Sequence, residues 1–572
     1  MSGSALEALD EAQREAAEIL RGPLCVLAGA GTGKTRVITH RIAHGVDTGA
    51  YSPSRVMAVT FTTKAAGEMR GRLRALGVGG VSARTFHAAA LAQLNHFWPQ
   101  LAGDAAPAIV SGKVRLLGQA ADALRLRLDG ATLRDVASFI EWRKVTMRSV
   151  AQAARDRPHA VAGLDVATLM DLQAGYEKLK DERRQLDFED VLLACAGMLE
   201  SEPRVAAQVR EQYRHFTVDE FQDVSPLQYR LLELWLGDRR DLCVVGDASQ
   251  TIYSFAGADP RYLLGFSDRH PDARTVRLER NYRSAAPILD VANELMRGRP
   301  GALRLQPAHD DGSAARPVVS EYADDVTEAE GVAARVAAQI AAGTDPRHIA
   351  VLYRANSQSA SLITALAGRG IASSVLGGTR FFDLPEVRQA LMALRGASVA
   401  PTRGPLVADV RDILRSLGLT DEPPEAGGAL RETWEARAAI LRLAEEAPEG
   451  TTLRAFTDVL QARAKDQHEP SLRTVTLATL HAAKGLEWDH VHVCGLAEGL
   501  LPISYATGFD QVDEERRLAY VGITRAARTL SLSWSRMTGH RERQRSRFLQ
   551  EIGTDIVDAG DGRARPAAGR RN

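Results

Sequence analysis

Two short segments carry residue types that could work on a nucleotide. Ala28, Gly29, Ala30, Gly31, Thr32, Gly33, Lys34 and Thr35 follow the apolar run PLCVL and open into TRVITHRIAHGV, a helix-like segment whose second residue is Arg36. Small residues between a strand and a helix let backbone N–H groups converge on phosphates at the helix N-terminus. Lys34 would neutralise charge on the β- and γ-phosphates of ATP, and Thr35 would ligate Mg2+. Ala28 stands where the general pattern begins with Gly. Further along, HFTV runs into Asp219, Glu220, Phe221, Gln222 and Asp223. A buried strand ending in two carboxylates delivers them to the edge of a sheet where such folds bind ligands. Asp219 is expected to hold Mg2+, and Glu220 to orient or deprotonate the attacking water. Ser225 and Pro226 then supply an N-cap and a first-turn proline for the next helix.

These segments need a parallel sheet to position them. Strand-like runs PLCVLAGAG, RVMAVTFTT, HFTVDEFQD and DLCVVGDAS each precede a helix-like stretch, the pattern of a parallel α/β sheet. A second such set starts at TVRLERNYRS and continues through HIAVLYRANS, RTVTLATLHAAKG, HVHVCGLAEG and TLSLSW, so two α/β domains are expected. Residues 93–184 and 389–470 read as helical insertions. The first α/β domain is then 1–92 with 185–274, the second is 275–388 with 471–555, and 556–572 is expected to be a disordered tail.

Composition narrows the class. A chain of 572 residues is too long for one core. No apolar run reaches the roughly 20 residues of a membrane span, and the N-terminus lacks the layout of a secretory signal, so a cytoplasmic protein without a membrane partner is expected. The four cysteines are scattered without CxxC spacing, which predicts buried, reduced thiols and excludes a cysteine zinc module. Lys plus Arg equals Asp plus Glu at 72 each, so any nucleic-acid contact must be a local track and not a basic coat.

Together, AGAGTGKT and DEFQD are similar to motifs I and II of superfamily 1 helicases, and the other motifs appear in order from about residue 9 to 552. The chain thus resembles the UvrD/PcrA/Rep group. The resemblance implies an α/β fold of two RecA-like P-loop NTPase domains, each with a mainly helical inserted subdomain. Gln13 looks like the adenine-reading glutamine of the Q motif. AVTFTTKAAGEM and ARTFHAAA resemble motifs Ia and Ib and would place Phe61, Thr62, Thr85, Phe86 and His87 beside single-stranded DNA. LDFEDVL, with Asp187 and Asp190, resembles a helix-opening motif with a structural role. In VVGDASQTIYSFAGA, similar to motif III, Asp247 supports the catalytic centre, Gln250 senses the γ-phosphate, and Tyr253 and Phe255 face the DNA.

LERNYRSAAPIL, TLHAAKGLEW and EERRLAYVGITRA resemble motifs IV to VI. They imply that Tyr282 stacks on adenine, Glu487 accepts from the ribose, and Arg283 and Arg525 reach the γ-phosphate, while His481 and Lys484 lie near DNA or nucleotide. Arg354, Asn356 and Phe381 are further expected DNA contacts. The activity implied by the resemblance is that of an ATP-dependent 3′-to-5′ DNA helicase that moves on single-stranded DNA and engages single-strand/duplex junctions. Such an enzyme works in repair, replication or recombination with repair proteins as partners, and is monomeric or weakly self-associating. Two rivals share parts of this pattern: a translocase that does not unwind, and a DNA-binding scaffold with a vestigial nucleotide site. RNA as substrate also stays open. Many relatives carry Trp-Arg-Gly-Ala where this chain has Phe255-Ala256-Gly257-Ala258, so a stacking surface is smaller and a cation is absent. The second insertion is short, as in a branch of the family that often continues into an HRDC domain, which is expected to be absent here.

Overall fold

The computed structural model describes residues 5–157, 164–309, 312–377, 382, 384–398, 404–422, 429–445, 447–466, 473–538 and 541–560. The chain divides into two compact units, residues 1–282 with 298–306, and residues 283–297 with 307–572.

Unit 1 is built on six strands: β1 (Leu24–Ala28), β2 (Val56–Thr60), β3 (Ser82–Thr85), β4 (His215–Val218), β5 (Leu242–Gly246) and β6 (Arg274–Leu278). Their order is β3-β2-β4-β5-β1-β6, and every pairing is parallel. Both faces are covered, which is why these strands read as continuous apolar runs. Leu24, Val26, Ala58 and Val245 face one side, where helix Lys34–Asp47 adds Val37, Ile38 and Ile42. Cys25, Val59, Phe216 and Val244 face the other, under Leu192 and Cys195 of helix Phe188–Ser201 and Leu231 and Trp235 of helix Pro226–Leu236. Each fully buried Leu or Ile contributes about 1.5–3 kcal/mol relative to exposure.

Two of the boundaries expected around unit 1 move. TVRLERNYRS was expected to open the second domain at residue 275, but β6 pairs in register with β1, from Leu24 with Arg274 to Ala28 with Leu278. Val276 and Leu278 complete the same core as β1, so the chain stays in unit 1 as far as Tyr282. The first insertion was expected from residue 93, which falls inside helix Phe86–Ala102. Phe86, Ala90, Leu94 and Phe97 recur at helical spacing and bury against the sheet. Gly103, with φ +75°, ends that helix. The insertion proper comprises helices Lys113–Ala123, Gly130–Val145, Val150–Asp156 and Val166–Glu182 around Leu117, Ile140, Leu172 and Tyr176.

A buried ionic knot anchors this insertion. Asp187 and Asp190 form the capping box of helix Phe188–Ser201. Asp187 Oδ2 also accepts from Lys144 Nζ at 2.7 Å, Lys180 Nζ at 3.3 Å and Tyr176 Oη at 3.1 Å. Lys144 reaches Asp190 at 2.6 Å and Glu177 at 2.8 Å, and Lys180 contacts the same two acids. Lys113 pairs with Glu141 at 2.7 Å and Glu189 at 2.6 Å. Burial opposes ionisation of Asp187, but Lys144, Lys180 and Lys113 outweigh it and hold the carboxyl well below the usual carboxylate range.

Unit 2 contains β7 (Val318–Asp324), β8 (Ile349–Tyr353), β9 (Ser373–Val375), β10 (Val475–Thr479), β11 (Trp488–Val493), β12 (Ala526–Thr538) and β13 (Asp558–Gly560). Their order is β9-β10-β8-β11-β12-β7-β13, all parallel, with Arg541–Glu542 folded back antiparallel on β12. The disordered tail was expected from 556, yet Asp558–Gly560 pairs with β7 as an edge strand; residues 561–572 lie outside the described residues. The second insertion begins before residue 389, because Val387, Ala390 and Leu394 of helix Pro385–Ala397 pack in its core with Leu414, Ile440 and Leu460. The four cysteines are buried and unpaired, as expected. Among the described residues no helix is long and apolar enough to cross a membrane.

Breaking a buried ion pair by removing one partner costs about 3–5 kcal/mol. Asp187→Asn is therefore expected to destabilise the protein by about that much in urea unfolding at pH 7, whereas Glu141→Gln at the half-exposed end should cost less than about 1 kcal/mol. The folded Asp187 carboxyl is depressed, so its stabilisation is present above the unfolded value of about 4 and is lost as pH falls through the folded value. The difference between wild type and Asp187→Asn should accordingly narrow in strong acid.

Candidate active site and nucleic-acid interface

Three adjacent strands of unit 1 deliver the chemistry from their C-terminal ends: β1 leads into the phosphate loop, β4 into Asp219 and Glu220, and β5 into Asp247. Gly31 and Gly33 take left-handed conformations, φ +68° and +85°, which a side chain would disfavour. Four successive loop carbonyls accept from fixed donors. Thr32 Oγ1 donates to Gly29 at 2.9 Å, Asn281 Nδ2 to Ala30 at 2.7 Å, the Tyr282 N–H to Gly31 at 2.9 Å, and Gln13 Nε2 to Thr32 at 2.9 Å. Gln13 is buried and shares a capping box with Asp10. Tyr282 Oη donates to Asp10 Oδ2 at 2.5 Å while its ring stays 41% exposed, so Gln13 and Tyr282 flank one side of the loop. Arg36 is tied to the Ala8 carbonyl at 2.5 Å.

The carboxylates lie at the other side. Lys34 Nζ stands 3.9 Å from Glu220 Oε1. Burial first, and the charge of Glu220 second, push the Asp219 carboxyl up to about 7, with Lys34 opposing both. Asp247 is also pushed up by burial, against Lys34 and its bond from Gln250. Glu220 holds φ +53° and ψ +42°, a left-handed conformation that costs a non-glycine residue about 1–3 kcal/mol and gathers at working sites. Its Oε2 accepts from Gln222 Nε2 at 2.5 Å. Gln222 Oε1 accepts from the Asp247 N–H at 3.0 Å, and Gln250 Nε2 donates to Asp247 Oδ2 at 2.7 Å. A continuous relay thus joins Glu220, Gln222, Asp247 and Gln250. Gln222 received no role from sequence; its signal was an amide placed between the acids Glu220 and Asp223 just after a buried strand, where burial obliges it to find partners. Gly246 makes room for it, since a Cβ there would stand 2.6 Å from Gln222 Oε1.

The aromatic residues separate into two kinds. Phe61 stacks on Tyr253 at 5.3 Å between centroids and 11° between planes, and Tyr253 meets Phe255 edge-on at 6.0 Å. Phe61 and Phe255 are 41% and 57% exposed, so this row offers ring faces to solvent. Phe86 is a correction: it is buried in the core against Trp235, because the first turn of its helix points into the sheet. Thr62 and Thr85 act as N-caps, accepting from the Ala65 and Ala88 N–H groups. His87 stacks on Phe188 at 3.8 Å, and burial lowers its pKa to about 4. Phe188, 55% exposed, is a ring that the reading of LDFEDVL as purely structural passed over.

In unit 2 the adjacent strands β8 and β10 end at Arg354 with Asn356, and at His481. Arg354 does not present a free cation: Glu515 holds it bidentately, with contacts of 3.0 and 2.8 Å, and Tyr505 Oη lies 3.4 Å away. Burial, then Arg354 and Lys484, lower His481 to about 4, so it is a neutral imidazole near pH 7. Asn356 is exposed. Phe381 lies outside the described residues. Arg283 donates to Glu487 at 2.6 Å and to the Thr524 carbonyl at 3.2 Å. Arg525 is buried, donating to the carbonyls of Val521 and Leu486 and to Thr524 Oγ1. The two arginines and Glu487 therefore gather around Thr524.

Residues 9–271 match the UvrD/REP helicase N-terminal domain, and residues 276–398 and 435–537 match the UvrD-like helicase C-terminal domain. The chain belongs to the UvrD/Rep helicase family. This helicase is 46% identical to the ATP-dependent DNA helicase UvrD2 of Mycobacterium tuberculosis over 98% of its own length and 84% of that protein's. It is 30% identical to DNA helicase II of Escherichia coli, over 97% and 88% of the two chains, and 28% identical to the ATP-dependent DNA helicase PcrA of Bacillus subtilis, over 98% and 87%. It is a helicase-class enzyme with an ATPase core, as expected from its motifs.

Two substitutions separate the core ring from the exposed one. Phe86→Ala should cost about 3–5 kcal/mol in unfolding, and Phe61→Ala less than about 1 kcal/mol while weakening oligonucleotide binding by about 1–3 kcal/mol. Gln222→Ala should lower maximal ATP turnover by about 10–100-fold with little change in nucleotide affinity, read from steady-state kinetics beside equilibrium nucleotide binding.

Proposed function

We propose that this helicase is an ATP-driven motor that steps 3′ to 5′ along single-stranded DNA and unwinds duplex at junctions, in DNA repair, replication or recombination. The observation that carries the reading is the single segment Asp247–Phe255, which holds the Gln250–Asp247 end of the carboxylate relay and the Tyr253–Phe255 end of the exposed aromatic row. Occupancy of one end can bias the other through a few residues of backbone.

In this reading Lys34 and the loop N–H groups bind the ATP phosphates, Gln13 and Tyr282 take the adenine side, and Glu220 accepts a proton from, or aligns, the attacking water. The carboxylate set suits a divalent cation: Asp219 is buried beside a second acid, with Lys34 opposing. Thr35 and Asp219 would hold Mg2+, which supplies neutralisation of phosphate charge. Arg283 and Arg525 would sense the γ-phosphate, which requires them to exchange the Glu487 and backbone partners described above for phosphate oxygens. Phe61, Tyr253, Phe255 and Phe188 would stack on bases without sequence preference.

ATP hydrolysis is expected to rise at least about tenfold with single-stranded DNA, and 3′-tailed duplex to be displaced in preference to 5′-tailed duplex. Lys34→Ala should lower both activities by about 100-fold or more. Preference for a 5′ tail would reverse the polarity. DNA-stimulated hydrolysis without displacement would make the protein a translocase, and hydrolysis indifferent to DNA, with no displacement, would remove the motor reading.

A further inference from the structure

The turn that carries the outer ring of the aromatic row is gripped from outside the motor sheet. Arg157, at the end of helix Val150–Asp156 of the first insertion, donates from Nη2 to the Ser254 carbonyl at 3.2 Å and from Nη1 to the Phe255 carbonyl at 3.3 Å. Its guanidinium carbon lies 4.0 Å from the ring centroid of Trp142, on helix Gly130–Val145. The end of that helix and its C-cap also press on the residue after the turn: a Cβ at Gly257 would stand 2.6 Å from Val145 Cγ2 and 3.3 Å from Thr146 Cγ2. The turn itself, Ser254-Phe255-Ala256, contains no cation.

We propose that Arg157 is a positioning residue for nucleic-acid coupling: stacked on Trp142, it supplies from the insertion the cation that the Ser254–Ala256 turn lacks, and so sets Tyr253 and Phe255 for base stacking. This deepens the motor reading and rests on it. A guanidinium can offer its edge to two carbonyls while its face lies on an aromatic ring, a combination an ammonium cannot match. Tying both carbonyls orders the turn before a strand arrives, which removes part of the ordering cost of binding. Because Tyr253 is three residues from Gln250, the same brace limits how freely that segment can shift when a base stacks at its outer end.

The test uses the full chain and a dT oligonucleotide. Arg157→Ala is expected to raise the oligonucleotide concentration for half-maximal ATPase stimulation by about tenfold, and Arg157→Lys by about threefold, with the maximal rate reduced less than about twofold in each. Trp142→Ala should weaken stimulation in the same sense, and the double variant Trp142→Ala/Arg157→Ala should be no worse than Arg157→Ala alone. Hydrogen exchange at residues 252–257 should quicken by about tenfold in Arg157→Ala without oligonucleotide, a readout independent of activity. Unchanged half-saturation with unchanged exchange overturns the proposal, as does a fall in maximal rate at constant half-saturation. If wild-type hydrolysis ignores the oligonucleotide, the motor reading fails and the coupling role with it, and the exchange result then decides whether Arg157 orders the turn.

Discussion

One ammonium group faces three carboxylates at the end of the first sheet. Lys34 opposes the burial of Asp219 and Asp247 and stands within 4 Å of Glu220. Adjacent parallel strands in the order β4-β5-β1 are what bring these groups together, and the desolvation they suffer is tolerable because each is bonded or faced by an opposite charge. The left-handed Glu220, the buried Gln222 amide and the side-chain-free Gly246 are local adjustments that result from this crowding. A sheet with another strand order would scatter the same residues over different crevices.

Phosphate-handling residues were legible in the sequence because their chemistry is tied to short, contiguous patterns. A small-residue loop between strand and helix, and paired acids after an apolar strand, can each be read within ten residues. Partnership across distant segments could not be read that way. Nothing near Arg354 announces Glu515, and nothing near Lys144 announces Asp187, since those pairs depend on how helices are laid against the sheet. Phe86 illustrates the same limit from the other side: a ring at a strand end can face solvent or core, and the helical recurrence through Ala90, Leu94 and Phe97 decides for the core.

Boundaries moved for a related reason. A change of hydrophobic pattern marks where one element type gives way to another, whereas a domain limit lies where burial changes owner. Helix Phe86–Ala102 keeps a single pattern and belongs wholly to the motor core, and β6 is claimed by the open edge of β1. In the second unit, β13 is drawn into the sheet by the edge of β7 despite a sequence rich in Gly and Asp, because backbone pairing asks little of side chains.

The ionic knot under the first insertion and the ion pairs at the protein's surface answer differently to dissolved salt. Ion pairs at the surface, such as Arg55 with Glu211 and Arg240 with Asp272, are screened over about 8 Å at physiological ionic strength and over about 3 Å at 1 M. Lys144, Lys180 and Asp187 are almost wholly shielded from solvent and sit in direct contact, where mobile ions cannot intervene. Concentrated salt should then loosen those exposed pairs while the insertion stays seated, so the two electrostatic systems of one chain can be addressed separately by ionic strength alone.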